Sequence, residues 1–297
     1  METVCVRGYA KINLHLDITG RLEGGYHQVE TVMQSISLFD EITLIPRDEA
    51  GFAVFCNVPG VPTDEKNLAV RAALLFAKHT GISTGAQIVI DKQIPMAAGM
   101  AGGSADAAAV LRGMNRLYGS PLSRETLCAL GATLGADVPF CVVGGTAYAD
   151  GRGDVLHDFP RMPACHIVAS CAGEGVSTPW AYGLLDRLHG EFQEESLYRP
   201  RSVEPLRAAL TAGALLGVTD HLYNIFEEPI LAERPVASAI RRLLIEAGAL
   251  RAMMSGSGPS VFGIFESAEQ ADLAAQRLRQ AGYPAYACTP QDTIESD

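Results

Sequence analysis

The sequence predicts an α+β fold in two domains. Three observations lead there. Apolar residues alternate near the start, an Ala- and Leu-rich helical stretch follows a glycine-rich loop, and the chain has 297 residues. At roughly 100–200 residues per domain, that length fits two. A boundary is expected near Asp158–Pro163, where two prolines break the pattern, giving domains 1–158 and 159–297.

The elements follow in order. Val4 and Val6, then Ile12, Leu14, Leu16 and Ile18, fall at every second position, the period of a strand. Gly20–Gly25 reads as a turn-rich loop. Further strands are expected at Glu41–Ile45, Phe52–Cys56 and Gln87–Asp91. Asn67–His79 carries Leu68, Ala72, Leu75 and Phe76 at helical spacing. The loop Pro95–Gly103 leads into a helix at Ser104–Leu117, and Ser123–Leu134 is a second. Asp137–Val143 and Gly144–Ala149 are short apolar runs, broken by Pro139 and Gly144-Gly145. The second half predicts strands at His166–Cys171, Phe262–Phe265 and Ala285–Cys288. Its helices are expected at Pro179–Leu188, Val203–Ala212, Val236–Ala247 and Ala268–Ala281, and its loop at Gly190–Arg201. No repeat of fixed period occurs.

Composition narrows the function. Hydrophobic residues make up 48% and charged residues 19%, which is a globular balance. The net charge is −11, and Lys/Arg residues form no run beyond Arg241-Arg242, so nucleic acid is not an expected partner. No stretch of 18 apolar residues exists, and no membrane span is expected. The seven cysteines form no C-x-x-C pair, and an odd count argues against a disulfide framework. With no basic-then-apolar leader at Met1–Arg7, a cytoplasmic location is expected.

The chemistry concentrates in a few segments. In Pro95-Met96-Ala97-Ala98-Gly99-Met100-Ala101-Gly102-Gly103-Ser104 three glycines and small side chains precede a strong helix. Glycine lets backbone approach a ligand closely, and a helix start offers unpaired N–H groups, which together make a phosphate cradle. A helix cap with close packing is the other reading. A Walker loop is excluded, since no Gly-Lys dipeptide occurs, and G-x-G-x-x-G is not matched. A second segment, Met254–Ser260, reads either as a small-residue loop beside the phosphates or as a strand connector. Lys11 shares a strand face with Asn13, where cation and amide could orient a hydroxyl or phosphate, or simply face solvent. Asp137 lies among small and apolar residues just past a helix, either as a base for an alcohol proton or as a helix cap. Tyr26-His27 closes the Gly24-Gly25 turn, as a ring-stacking pair or a surface turn end. No His/Cys set has metal-ligand spacing, H-E-x-x-H is absent, and no metal site of the protein's own is expected.

Five stretches together resemble the GHMP kinases. They are Ala10-Lys11-Ile12-Asn13-Leu14, Gly24-Gly25-Tyr26-His27, Ala98–Ala108, Leu134–Phe140 and Ser255–Ser260. Gly-Tyr-His and Gly-Ala-Asp-Val-Pro point to the branch whose alcohol substrate carries a cytidine diphosphate. The resemblance covers nearly the whole chain and implies a two-domain GHMP kinase fold with ATP and substrate in the interdomain cleft. It implies Asp137 as base and Lys11 as the cation that lowers the hydroxyl's pKa. Tyr26 and His27 would recognise the cytosine, with Tyr182 as a second stacking ring and Asn13 as a substrate contact. Pro95, Ala97, Ala98, Gly99, Met100, Ala101, Gly102, Gly103 and Ser104 would wrap the ATP phosphates, with Asn67 on the adenine side and Mg²⁺ accompanying ATP. Many relatives have Leu and Gly where Met100 and Ala101 stand here. An Ala at 101 implies a negative φ, since a Cβ disfavours the left-handed region.

Overall fold

The computed structural model describes residues 2–192 and 197–294. Residues 193–196, within the segment read as loop, lie outside the described residues. The chain opens with two long antiparallel strands, β1 (Val4–Arg21) and β2 (His27–Arg47), joined by the Gly24-Gly25 turn. β3 (Phe52–Cys56), α1 (Leu68–Thr80) and β4 (Gly85–Asp91) follow, then α2 (Gly102–Leu117), α3 (Arg124–Leu134) and the short α4 (Val138–Val143). β5 (Thr146–Asp150) and β6 (Val155–Asp158) close the first half. The second half runs β7 (His166–Ser170), α5 (Thr178–His189), α6 (Glu204–Thr211), α7 (Leu215–Asp220), β8 (Tyr223–Asn224), α8 (Glu227–Glu233), α9 (Pro235–Glu246), β9 (Arg251–Met254), β10 (Val261–Phe265), α10 (Ala268–Gln280) and β11 (Ala285–Cys288).

Two sheets result. The first has the order β3-β4-β2-β1-β8, with β5 on the early part of β2 and β6 on β5; the second has the order β11-β7-β10-β9. β2 is long enough to pair with β5 through Thr31–Gln34 and with β4 through Glu41–Arg47. α2 lies close against β1: a Cβ on Gly8 would sit 2.6 Å from the carbonyl oxygen of Ala105, so glycine is needed there. The two halves share one core, in which Ile12 and Leu111 belong to the same cluster as Leu206 and Phe262.

The alternation along β1 explains the site. Its first residues alternate buried and exposed, but Ala10–Ile18 are buried on both faces. The apolar face packs in the core, and the polar face, with Lys11, Asn13, His15 and Asp17, is covered by the second half. Tyr198 donates a hydrogen bond to Asp17, and the Arg201 backbone N–H donates to the same carboxylate at 2.7 Å. The solvent-facing reading of Lys11 is therefore excluded.

Candidate active site

One cavity of about 920 Å³ opens between the halves, at the upper end of the range for small-molecule sites. Its wall brings together Lys11, Asn13, Tyr26, His27, Asp137, Tyr182 and much of the glycine loop.

The loop has a regular backbone. Ala97, Gly99 and Ala101 have φ of 51°, 79° and 58°, while none of Met96, Ala98 and Met100 has a positive φ. Alternation of positive with negative φ is the pattern by which successive N–H groups can turn toward one side as an anion nest. The start of α2 adds its own unpaired N–H groups. The negative φ expected at Ala101 is thus corrected: the residue is left-handed and forms the N-cap of α2 without a side-chain cap bond. The nest requires that handedness, and the site accepts the Cβ. Ala97, Ala98, Gly99, Ala101, Gly102, Gly103 and Ser104 reach the cavity. Pro95 and Met100 do not; Met100 is buried in the core, and its carbonyl accepts the Lys11 backbone N–H at 3.2 Å.

The segment Met254–Ser260 packs onto this loop. The Ser260 N–H donates to the Ala98 carbonyl at 3.1 Å, and Ser255 Oγ donates to the Gly99 carbonyl at 3.0 Å. A Cβ on Gly99 would come within 2.3 Å of the Ser255 carbonyl oxygen. Asn224 holds the segment from below, donating Nδ2 to the carbonyls of Met254 and Gly256 at 2.8 and 2.9 Å.

Lys11 is 4% exposed, and its Nζ donates to Asn13 Oδ1 at 2.7 Å. Asn13 Nδ2 donates to Thr31 Oγ1 at 2.9 Å, and Thr31 donates to the His15 carbonyl, so the amide's orientation is fixed. Lys11 Nζ also lies 3.8 Å from Asp137 Oδ1, whose side chain remains 39% exposed on the cavity wall. Asp137 stands at the N-cap of α4 but makes no side-chain cap bond, so capping does not explain it. The arrangement is a desolvated cation beside an accessible carboxylate, suited to holding an alcohol and taking its proton. Asn67 caps α1: its Oδ1 accepts from the Ala69 N–H and its Nδ2 donates to the Pro62 carbonyl, so both amide groups are occupied, and its neighbour Leu68 reaches the cavity instead.

At the other end, Tyr26 projects with 60% exposure, and the Arg152 guanidinium lies 5.6 Å from its ring. The His27 ring lies 4.5 Å from that of Tyr182, and its Nε2 lies 2.7 Å from Asp186 Oδ1. Burial, and then the Asp137 carboxylate, push the Tyr182 phenol well above its ordinary range, so it stays neutral. Asp186 and Arg152 also line the cavity, and neither was expected from the sequence. Only Asp186 left a signal, four residues after Tyr182 on the same helix.

Fold and site together define a phosphotransferase of one family, and the chain belongs to the GHMP kinases. The GHMP kinases N terminal domain matches residues 67–145, and the GHMP kinases C terminal domain matches residues 194–284. A relative from Gloeobacter violaceus, a 4-diphosphocytidyl-2-C-methyl-D-erythritol kinase, is 43% identical over 293 residues, covering 98% of this chain and 95% of its own. One of the same name from Acetivibrio thermocellus is 41% identical over 286 residues, covering 96% and 98%. The crystal structure of a 4-(cytidine 5'-diphospho)-2C-methyl-D-erythritol kinase superposes with TM-score 0.80 at 33% identity, covering 96% of this chain and 98% of that one. Homoserine kinase from Cytophaga hutchinsonii, at 19% identity and TM-score 0.72 over 100% of this chain and 96% of its own, shares the fold.

Proposed function

We propose that the protein transfers the γ-phosphoryl group of ATP to the C2 hydroxyl of 4-diphosphocytidyl-2-C-methyl-D-erythritol, a step of non-mevalonate isoprenoid precursor biosynthesis. The observation that carries this reading is one cavity whose wall holds three pieces of chemistry: a backbone nest at 97–101, the Lys11–Asp137 pair, and the Tyr26–His27–Tyr182 aromatic cluster. The nest takes the triphosphate. The pair takes the reacting alcohol, and the aromatic end takes the cytosine at the far side of the diphosphate. Domains 1–158 and 159–297 flank this cleft, and the protein works in the cytoplasm. No described helix is long and apolar enough to cross a membrane.

Catalysis here is positioning and electrostatics. Asp137 accepts the hydroxyl proton as the oxygen attacks the γ-phosphorus in line and ADP leaves. Lys11, held by Asn13, offsets the charge developing on the attacking oxygen. Asn13 also stands within reach of the substrate. Mg²⁺ is expected to arrive with ATP, because Mg²⁺ in such sites rests mainly on phosphate oxygens and one or two protein oxygens. Ser104 and Asp137, on the cavity wall, are the oxygens that fit it, and the ion would screen the phosphate charge.

Replacing Asp137 by Asn keeps the shape and removes the base. In an ADP-release assay with Mg-ATP and this substrate, kcat should fall about 100-fold or more, the scale of a lost general base, with cytidine-nucleotide binding retained. Near-normal turnover in the variant would sink the role.

A further inference from the structure

The ring of His27 is held by an ion pair that the phosphoryl transfer does not use. Asp186 Oδ1 lies 2.7 Å from His27 Nε2 and 2.6 Å from Arg21 Nη2. Arg21 also donates Nη1 to the Gly25 carbonyl and Nε to the Glu191 carbonyl, each at 2.8 Å. One guanidinium thus ties the Gly24-Gly25 turn to α5 and to the residues just after it. The ring itself is packed between Tyr182, at 4.5 Å, and the edge of Phe192, at 5.9 Å. Its side chain is only 11% exposed, yet it lines the cavity. Asp186 takes Nε2, which leaves Nδ1 as the ring nitrogen outside that contact.

We propose that Asp186 and Arg21 are positioning residues that make His27 a hydrogen-bond acceptor and thereby select cytosine over uracil. This rests on the cytidine reading of the aromatic end. A carboxylate can only accept at Nε2, so it draws the ring proton there and leaves a lone pair on Nδ1. The Arg21 guanidinium shares the same carboxylate oxygen and fixes its position beside the ring. The edges of the two pyrimidines differ in the sense that this ring detects. Cytosine carries an exocyclic amine, a donor; uracil carries a carbonyl oxygen in its place, an acceptor. A lone pair facing the amine gains a hydrogen bond. Facing the carbonyl, two acceptors are left unpaired and repelling, and sites built this way discriminate by leaving polar groups unsatisfied.

The test joins a spectroscopic and a binding measurement. Nitrogen-15 NMR of the histidine rings in the intact protein, with CMP bound, reads the tautomer of His27. Calorimetry compares CMP with UMP for the wild type, Asp186→Ala and Asp186→Glu. The expected result is an Nε2–H ring and a preference for CMP of about tenfold or more. In Asp186→Ala that preference should fall to within about twofold, while KM for ATP stays unchanged. Asp186→Glu, which can still reach the ring, should recover part of it. An Nδ1–H or doubly protonated ring in the wild type overturns the proposal, and this arm needs no variant to fold. So does an unaltered CMP/UMP ratio in a folded Asp186→Ala protein. An Nε2–H ring with neither nucleotide bound overturns the cytidine reading itself and the base selection built on it.

Discussion

Behind the glycine loop, Lys92 is 7% exposed and lies between two carboxylates, 2.6 Å from Asp40 Oδ2 and 2.8 Å from Asp106 Oδ2. Asp40 Oδ1 also accepts the backbone N–H groups of Gln93 and Ile94, whereas Asp106 Oδ1 is buried without a partner. One cation cannot neutralise two buried carboxylates. Burial first, against the pull of Lys92, and then the charge of Asp40 lift Asp106 to about 7. With the folded pKa above the unfolded one, this group's contribution to stability is full below about pH 4 and is lost as pH rises toward 7. Asp106→Asn keeps an acceptor for Lys92 and removes that titration. Urea unfolding at pH 5 and pH 8 should therefore show a smaller loss of stability at pH 8 in the variant than in the wild type. An equal loss in both would refute the assignment. None of this was legible in the sequence, because Asp40, Lys92 and Asp106 are brought together only by the packing of α2 on the first sheet. The shared strand face of Lys11 and Asn13 was legible by residue type and spacing, but their burial was not. It depends on residues 198–226 and 254–256, which carry no mark of what they cover.

The glycine loop is the element proposed to hold the ATP phosphates, and its geometry is set by a neighbouring segment as much as by its own residues. Gly99 is left-handed, and its Cα faces the Ser255 carbonyl. Gly99→Ala would force the two loops apart and should raise KM for ATP at least tenfold, while lowering Tm; an unchanged KM would show that the nest does not hold the phosphates. Ala101, by contrast, already carries a Cβ in the left-handed region, at a cost of about 1–2 kcal/mol. Elements with a strong period were legible: Phe52–Cys56 is β3, and the helices expected at Asn67–His79, Ser104–Leu117 and Ser123–Leu134 appear within about two residues of their predicted ends. β2 was legible only at Glu41–Ile45. Its earlier half is buried on both faces and carries Gln34 and Ser35 inward, so alternation fails there. α7, β8 and α8 are short, and β8 forms only because β1 offers it an edge.

At the scale of the molecule, the halves are interlocked. β8, from the second half, extends the first sheet beside β1. The tail after β11 returns to the first half, bridging Ile36 to Pro290 and Gly144 to Thr293. Both halves therefore contribute to the cleft, whose wall carries the glycine loop, the Lys11–Asp137 pair and the aromatic cluster of Tyr26, His27 and Tyr182. A substrate without a base would leave the aromatic cluster empty. The most direct measurement is a coupled ADP-release assay with Mg-ATP and four alcohols: 4-diphosphocytidyl-2-C-methyl-D-erythritol, homoserine, mevalonate and galactose. Turnover is expected with the first and none above background with the other three. Turnover only with one of the smaller alcohols would contradict the cytidine assignment while leaving the kinase chemistry, and no ADP from any of them in a folded protein that binds ATP would contradict the catalytic role of Lys11 and Asp137.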